Sequence, residues 1–164
     1  RHFDITVSDA EKLAMTLKKI SKRNGGYMLT TSRRTSKPVE QFLKTAITRD
    51  PSCRYLVIAN EDNPAYAASA MISLANIVIV TGDSLAMISE AVGGGKKVIV
   101  LNLGEGELPP KHYRFHQVLS QRGLVTMSCI EDLERTVADL VKKTDRVAKD
   151  REKNALLQRL GELL

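Results

Sequence analysis

Tryptophan is absent from this chain of 164 residues, and four Tyr with three Phe bring the aromatics to only 4%. A nucleic-acid platform needs rings interleaved with its basic residues so that bases can stack. Tyr27 and Phe42 fall instead within apolar runs that read as core, so nucleic acid is disfavoured as a partner. Cysteine is scarce too. Cys53 and Cys129 are too few for a disulfide scaffold or a four-cysteine zinc module. They read as small core hydrophobes of a reducing compartment, which points to a cytoplasmic location. No apolar run approaches the roughly 18–20 residues of a membrane span. The first residues show no signal-peptide pattern, and a chain opening on Arg1-His2-Phe3 is expected to continue upstream.

What is present is the composition of a soluble globular protein, 43% hydrophobic and 27% charged, with a length that suits one domain spanning 1–164. The net charge of +6 is unevenly placed. Residues 18–54 carry ten Lys or Arg against Glu40 and Asp50, whereas residues 55–95 carry four acids and no Lys or Arg. A basic face of this kind meets an anion such as a nucleotide phosphate or a lipid headgroup, or else it is simply solvated. Peripheral association with the inner face of a membrane is therefore among the expectations.

Two kinds of apolar cluster alternate along the chain. Tyr27–Thr31, Tyr55–Ala59, Ile77–Val80, Val98–Leu101 and a weaker Leu124–Met127 are short and continuously apolar, as strands buried on both faces are. Between them lie helical patterns. Ser8 and Glu11 form a capping box ahead of Leu13, Leu17 and Ile20, and Asn24-Gly25-Gly26 stops that helix. Pro38 and Pro64 open the next two, Ser84 begins a fourth and His112–Gln121 makes a fifth. The last region, from Ile130, carries Leu133, Val137, Leu140 and Val141 at helical spacing and reads as two helices or one long helix that bends, with residues 145–164 as a C-terminal helix bearing Leu156, Leu157, Leu160 and Leu163 on one stripe. That stripe is expected to be exposed or to join a dimer. Strict alternation implies an α/β fold, a single five-stranded parallel sheet between two helical layers. Leu29, Val57, Ile79 and Val100 would lie near its centre. A leading helix with no strand before it fits a first strand lying upstream of Arg1.

Such folds bind ligands at the carboxyl ends of their strands. The loops there are Thr31–Thr35, Asn60–Pro64, Thr81–Ser84 and Asn102–Glu107, all polar. The third is the sharpest. Gly82 permits a tight turn, Asp83 or Ser84 caps the next helix, and the free amides of that helix form an anion site. Glu90 follows one and a half turns later, where a carboxylate can accept from sugar hydroxyls. The competing reading is an ordinary helix cap with a solvated glutamate. Arg33 and Arg34 could clamp a diphosphate, although one of them is expected merely to cover the surface. His112 and His116 stand four apart on one helix, but no third ligand accompanies them and no metal is expected. Ser84, His116 and Asp83 could be drawn as a triad, yet the Gly-x-Ser-x-Gly turn of such nucleophiles is missing. Gly93-Gly94-Gly95 precedes a strand and so stops a helix without cradling phosphate.

Four ordered blocks carry a resemblance. They are Thr30–Thr35, Asn63-Pro64-Ala65-Tyr66 with Ser73-Leu74-Ala75-Asn76, Val80–Ala91, and Arg114-Phe115-His116 with Arg122-Gly123-Leu124. Together they resemble the bacterial family related to the plant mitochondrial-fission (elongated-mitochondria) proteins. Ala65 interrupts an Asn-Pro-Tyr step of that pattern, and Asn76 stands where Asp is usual. The family is similar to GT-B glycosyltransferases, whose two Rossmann-like domains face each other across a cleft. The resemblance therefore implies a three-layer Rossmann-like sheet forming the C-terminal, donor-binding half, its N-terminal partner domain holding the acceptor. It implies a nucleotide-diphosphate sugar as substrate, with no separate cofactor, held by Ser32, Arg33, Asn63, Thr81, Gly82, Asp83, Ser84 and Glu90. No catalytic base is assigned, and the domain alone is not expected to be active. The other class of function is a non-catalytic recruitment module, as the fission role of the plant relatives implies.

Overall fold

The computed structural model describes residues 5–103 and 109–143. Along it run α1 (Val7–Asn24), β1 (Tyr27–Thr30), α2 (Lys37–Thr48), β2 (Cys53–Val57), α3 (Ala67–Leu74), β3 (Ile77–Thr81), α4 (Leu85–Gly93), β4 (Lys97–Asn102), α5 (Pro110–Gln121) and β5 (Val125–Cys129). Residues 133–143 are helical again and are called α6. The alternation expected from the sequence is present as an α/β fold. The stripe expected at 154–164 and most of the Asn102–Glu107 loop lie outside the described residues.

Local chemistry moves several boundaries. The capping box of α1 is Thr6 with Asp9, two residues ahead of the Ser8 and Glu11 pair. The Thr6 hydroxyl accepts from the Asp9 amide at 3.1 Å, and the Asp9 carboxylate accepts from the Thr6 amide at 3.0 Å. Started there, α1 aligns Ala10, Ala14, Leu17 and Ser21 along its buried side. It ends at Gly25, whose φ of 91° suits glycine. Pro38 does open the first turn of α2, but Pro64 opens only a turn. Its carbonyl accepts from Ala67 at 3.0 Å, and α3 starts at that residue. β2 begins two residues earlier than expected and stops at Val57, because the Thr31 hydroxyl takes the Ala59 amide at 2.8 Å.

The strands form two parallel sheets, β1-β2 and β3-β4-β5, in place of the single five-stranded sheet expected. β1 and β3, which would have to pair to unite them, stand on either side of a groove of about 590 Å³. Val57 and Val100 are buried core residues, while Leu29 and Ile79 are half-buried and line that groove.

Three layers result. α1 and α2 pack through Ala10, Ala14, Val39, Leu43 and Ile47 onto Tyr27 and Leu29. On the same side α1 and α6 cover β4 and β3 through Leu13, Leu133 and Val137 against Ile79, Ile99 and Leu101. The opposite side is α3 on Met28 and Val57, then α4 and α5 on Val78, Val80, Val98 and Val100. The longest continuous core lies under β4, four of whose residues are 2% exposed or less. That burial makes β3-β4-β5 the rigid base from which the Thr81–Ser84 loop projects.

Candidate functional site

Two loops meet at the carboxyl edge of the strands. The first leaves β1. Ser32 and Thr35 close a tight turn: the Thr35 amide donates to the Ser32 carbonyl at 2.9 Å, and the Ser32 amide donates to the Thr35 hydroxyl at 3.0 Å. The Arg34 amide donates to the Ser32 hydroxyl at 3.2 Å. Below this turn sits Glu40, only 4% exposed. Its carboxylate accepts from the Thr31 hydroxyl at 2.7 Å and from the Asn60 side-chain amide at 3.0 Å. The same Asn60 reaches the Thr35 carbonyl at 3.3 Å, so one buried acid ties the loops after β1 and β2 to α2. A charged acceptor with such partners fixes the turn more strongly than neutral ones would.

The second loop leaves β3. Gly82 is buried, and its amide donates to the Leu101 carbonyl at 3.1 Å, extending the β3-β4 ladder by one residue. Asp83 follows, 20% exposed. One of its oxygens accepts from the Thr81 hydroxyl at 2.7 Å and the other pairs with the Arg34 guanidinium at 2.9 Å. Asp83 therefore does not cap α4, the role expected of it; its carboxylate goes to Arg34 and Thr81 instead. The turn geometry decides this, because the Ser32 hydroxyl holds the Arg34 backbone. Ser84 is the N-cap of α4 but makes no side-chain cap hydrogen bond, and the leading amides of this nine-residue helix keep their donors free of any side-chain cap.

Ser32, Thr81, Asp83 and Ser84 thus line one groove with Arg34 and Thr35. Arg33 is exposed on the same turn and does not line it. Asn63 is exposed in the loop between β2 and α3, and Glu90 is exposed in the second half of α4; neither lines the groove.

The model of a family described as Mitochondrial fission ELM1 matches residues 1–153. The chain belongs to the mitochondrial fission ELM1 family. No curated protein and no solved structure matches it. The matched stretch contains both loops and every site residue named above.

Two residues of this family member were not assigned to its site by pattern. One is Glu40, one of two acids in a basic stretch, which no spacing distinguishes. The other is His116, 2% exposed on α5, whose ring nitrogens both lack a hydrogen-bond partner. Burial and the nearby His112 push its pKa below the usual imidazole value, while the Gly82 backbone beside it pulls the other way. A neutral imidazole thus backs the loop that carries Asp83 and Ser84. Asp83 is engaged with Thr81 and Arg34, so no Ser-His-Asp relay is assembled. Among the described residues no group of three or more His, Cys, Asp or Glu is placed to hold a metal, and no helix is long and apolar enough to cross a membrane.

Proposed function

We propose that this domain binds a nucleotide-diphosphate sugar at the carboxyl edge of its strands, as the donor half of a GT-B-like glycosyltransferase. The observation that carries this reading is the Arg34–Asp83 ion pair. It holds a guanidinium one residue away from the N-cap of a helix with no side-chain cap. A diphosphate placed there meets two sources of positive potential, the helix amides and a planar fork of N–H donors. Asp83 would repel a free phosphate, but Thr81 and Arg34 already occupy its two oxygens. The Ser32 and Thr35 hydroxyls add neutral donors at the rim. During transfer the leaving diphosphate gains charge, and fixed amides with an arginine can stabilise it without a bound metal. The acceptor and the base that activates it belong to a second domain of the same protein.

Calorimetric titration with UDP-, ADP-, GDP- and CMP-sugars tests the reading. Diphosphate donors are expected to bind and CMP-sugars, with one phosphate, to bind more weakly. Arg34→Ala should weaken the diphosphate donors by about 1.5–3 kcal/mol, the scale of a hydrogen bond to a charged group. Absence of heat with every nucleotide would favour the recruitment module.

A further inference from the structure

We propose that the amino edge of the sheets, at the opposite end of the strands from the candidate site, docks on an anionic lipid bilayer, with Leu74 and Leu124 entering the headgroup layer between basic residues. The strands run parallel and each is entered from a helix, so the turns that lead into them gather along one edge. The order β3-β4-β5 decides what stands beside what. Leu74 ends α3 just ahead of β3, Lys96 leads into β4, and Arg122 and Leu124 lead into β5. Lys96 therefore stands between the two leucines, whose strands lie about 10 Å apart by the spacing of two strand steps. Leu74 is 76% exposed and Leu124 43%, although side chains of this kind gain most from leaving water. The Lys96 ammonium donates to the Ser73 carbonyl at 2.6 Å, which sets positive charge against Leu74. Arg122 is exposed beside Leu124. Nothing lies within 4 Å of where a Cβ on Gly95 or Gly123 would stand, so these turns are open to a flat surface.

The charge of this edge has one sign. Among the described residues of these turns and the strand starts that follow, Arg49, Arg54, Lys96, Lys97 and Arg122 stand against Asp50 alone. Asp50 is buried, and its carboxylate is taken by the Tyr27 hydroxyl and the Ser52 amide. The Lys97 ammonium donates to the Leu140 carbonyl at 3.3 Å, which brings Lys142 and Lys143 of α6 to the same edge. The exposed acids Glu90 and Asp139 lie on α4 and α6, outside the turns. At the carboxyl edge the signs are mixed, with Glu61, Asp62 and Asp83 in the loops beside Arg33 and Arg34. Helix carbonyl ends attract cations whatever they face, which accounts for Lys22 and Arg23 in the last turn of α1. It does not account for the leucines. Two aliphatic side chains set among cations on open turns match a surface that is negative at the headgroups and apolar beneath, where buried apolar area and charge attraction add. The basic stretch at 18–54 does not mark this surface by itself: its Arg33, Arg34 and Lys37 go to the other edge, and Lys96 and Arg122 lie outside it. Docking in this way leaves the Ser32–Thr35 and Thr81–Ser84 loops facing water.

The test needs no nucleotide and stands or falls apart from the reading above. Because the chain has no tryptophan, Leu74→Trp and Tyr66→Trp each give it a single reporter, one at either end of α3. The full 164-residue chain is mixed with vesicles of phosphatidylcholine alone or with roughly 30% phosphatidylglycerol added. With the anionic vesicles Leu74→Trp is expected to shift its emission to the blue and to be quenched by brominated acyl chains. Tyr66→Trp should show neither change, and neutral vesicles should change neither variant. Co-sedimentation then reads affinity in the parent sequence. Replacing Arg49 and Arg122 together by Gln should weaken binding on the order of 30-fold, about 5-fold per charge. Leu74→Ser with Leu124→Ser should weaken it on the order of 10-fold. Lys12→Gln with Lys37→Gln, toward the other edge, should change it by about 2-fold or less. Every substituted side chain is exposed, so the fold is kept. Failure to bind anionic vesicles overturns the proposal. So does binding that the paired leucine substitutions leave unchanged, or a blue shift in Tyr66→Trp. A shift that poly-glutamate produces without lipid assigns the edge to an acidic protein, and equally overturns it.

Discussion

Glu40 and His116 are both buried ionisable groups close to the same site, yet they hold it in opposite ways. Glu40 is saturated with partners from two loops. Glu40→Ala leaves Thr31 and Asn60 without their acceptor, and each such loss typically costs about 1–3 kcal/mol. Thermal unfolding of this variant is expected to show a fall of about 2–4 kcal/mol, with the Ser32–Thr35 turn loosened. His116 has burial without partners. Its folded pKa lies below the unfolded value near 6.5, so the unfolded chain binds the proton first as pH falls. Stability is therefore lost as pH drops through about 6.5 toward the folded value. His116→Leu removes a titrating group whose ring nitrogens lie beside the Gly82 backbone but make no hydrogen bond of full geometry. It should be nearly neutral at pH 7.5 and more stable than the parent at pH 5.5, as chemical denaturation at the two pH values would show. An equal difference at both would mean that His116 does not titrate on unfolding.

At the scale of elements, α4 separates structural from ligand roles. An N-cap serine that bonds its helix normally contributes about 1 kcal/mol, but Ser84 makes no such bond. Ser84→Ala should leave stability within about 0.5 kcal/mol of the parent while weakening nucleotide-sugar binding by about 1–2 kcal/mol. Glu90 lies further along α4, outside the groove. Glu90→Gln is expected to weaken sugar nucleotides and spare inorganic pyrophosphate, because only the former extends past the phosphates. Equal loss for both ligands would make Glu90 structural. These roles show how far the sequence could be read. The strands and helices were legible because each is a local apolar pattern: β3 shows alternating burial from Ile77 to Thr81, and Pro38 marks α2 directly. The contact between Arg34 and Asp83 was not, because it depends on a turn closed by the Ser32 and Thr35 hydroxyls. Two adjacent arginines look alike until that turn is built.

For the whole molecule the same division holds. Class and layering follow from alternation alone, since each buried strand needs a helix on each face. Division into a pair and a trio of strands does not, because pairing is decided between residues far apart in sequence. Nothing in Leu29 or Ile79 says that β1 and β3 stand apart. The groove between them lies beneath the two site loops, so the stability of the sheets and the shape of the site are linked. The measurement that tests the central claim most directly is an amide NMR titration of the chain with a nucleotide-diphosphate sugar. The account predicts saturable shifts at Leu85, Ala86 and Met87, the first amides of α4, together with Ser32, Arg34 and Thr35, and their loss in Arg34→Ala. Shifts confined to the basic surface of α1 and α2, or shifts unchanged in Arg34→Ala, would contradict it.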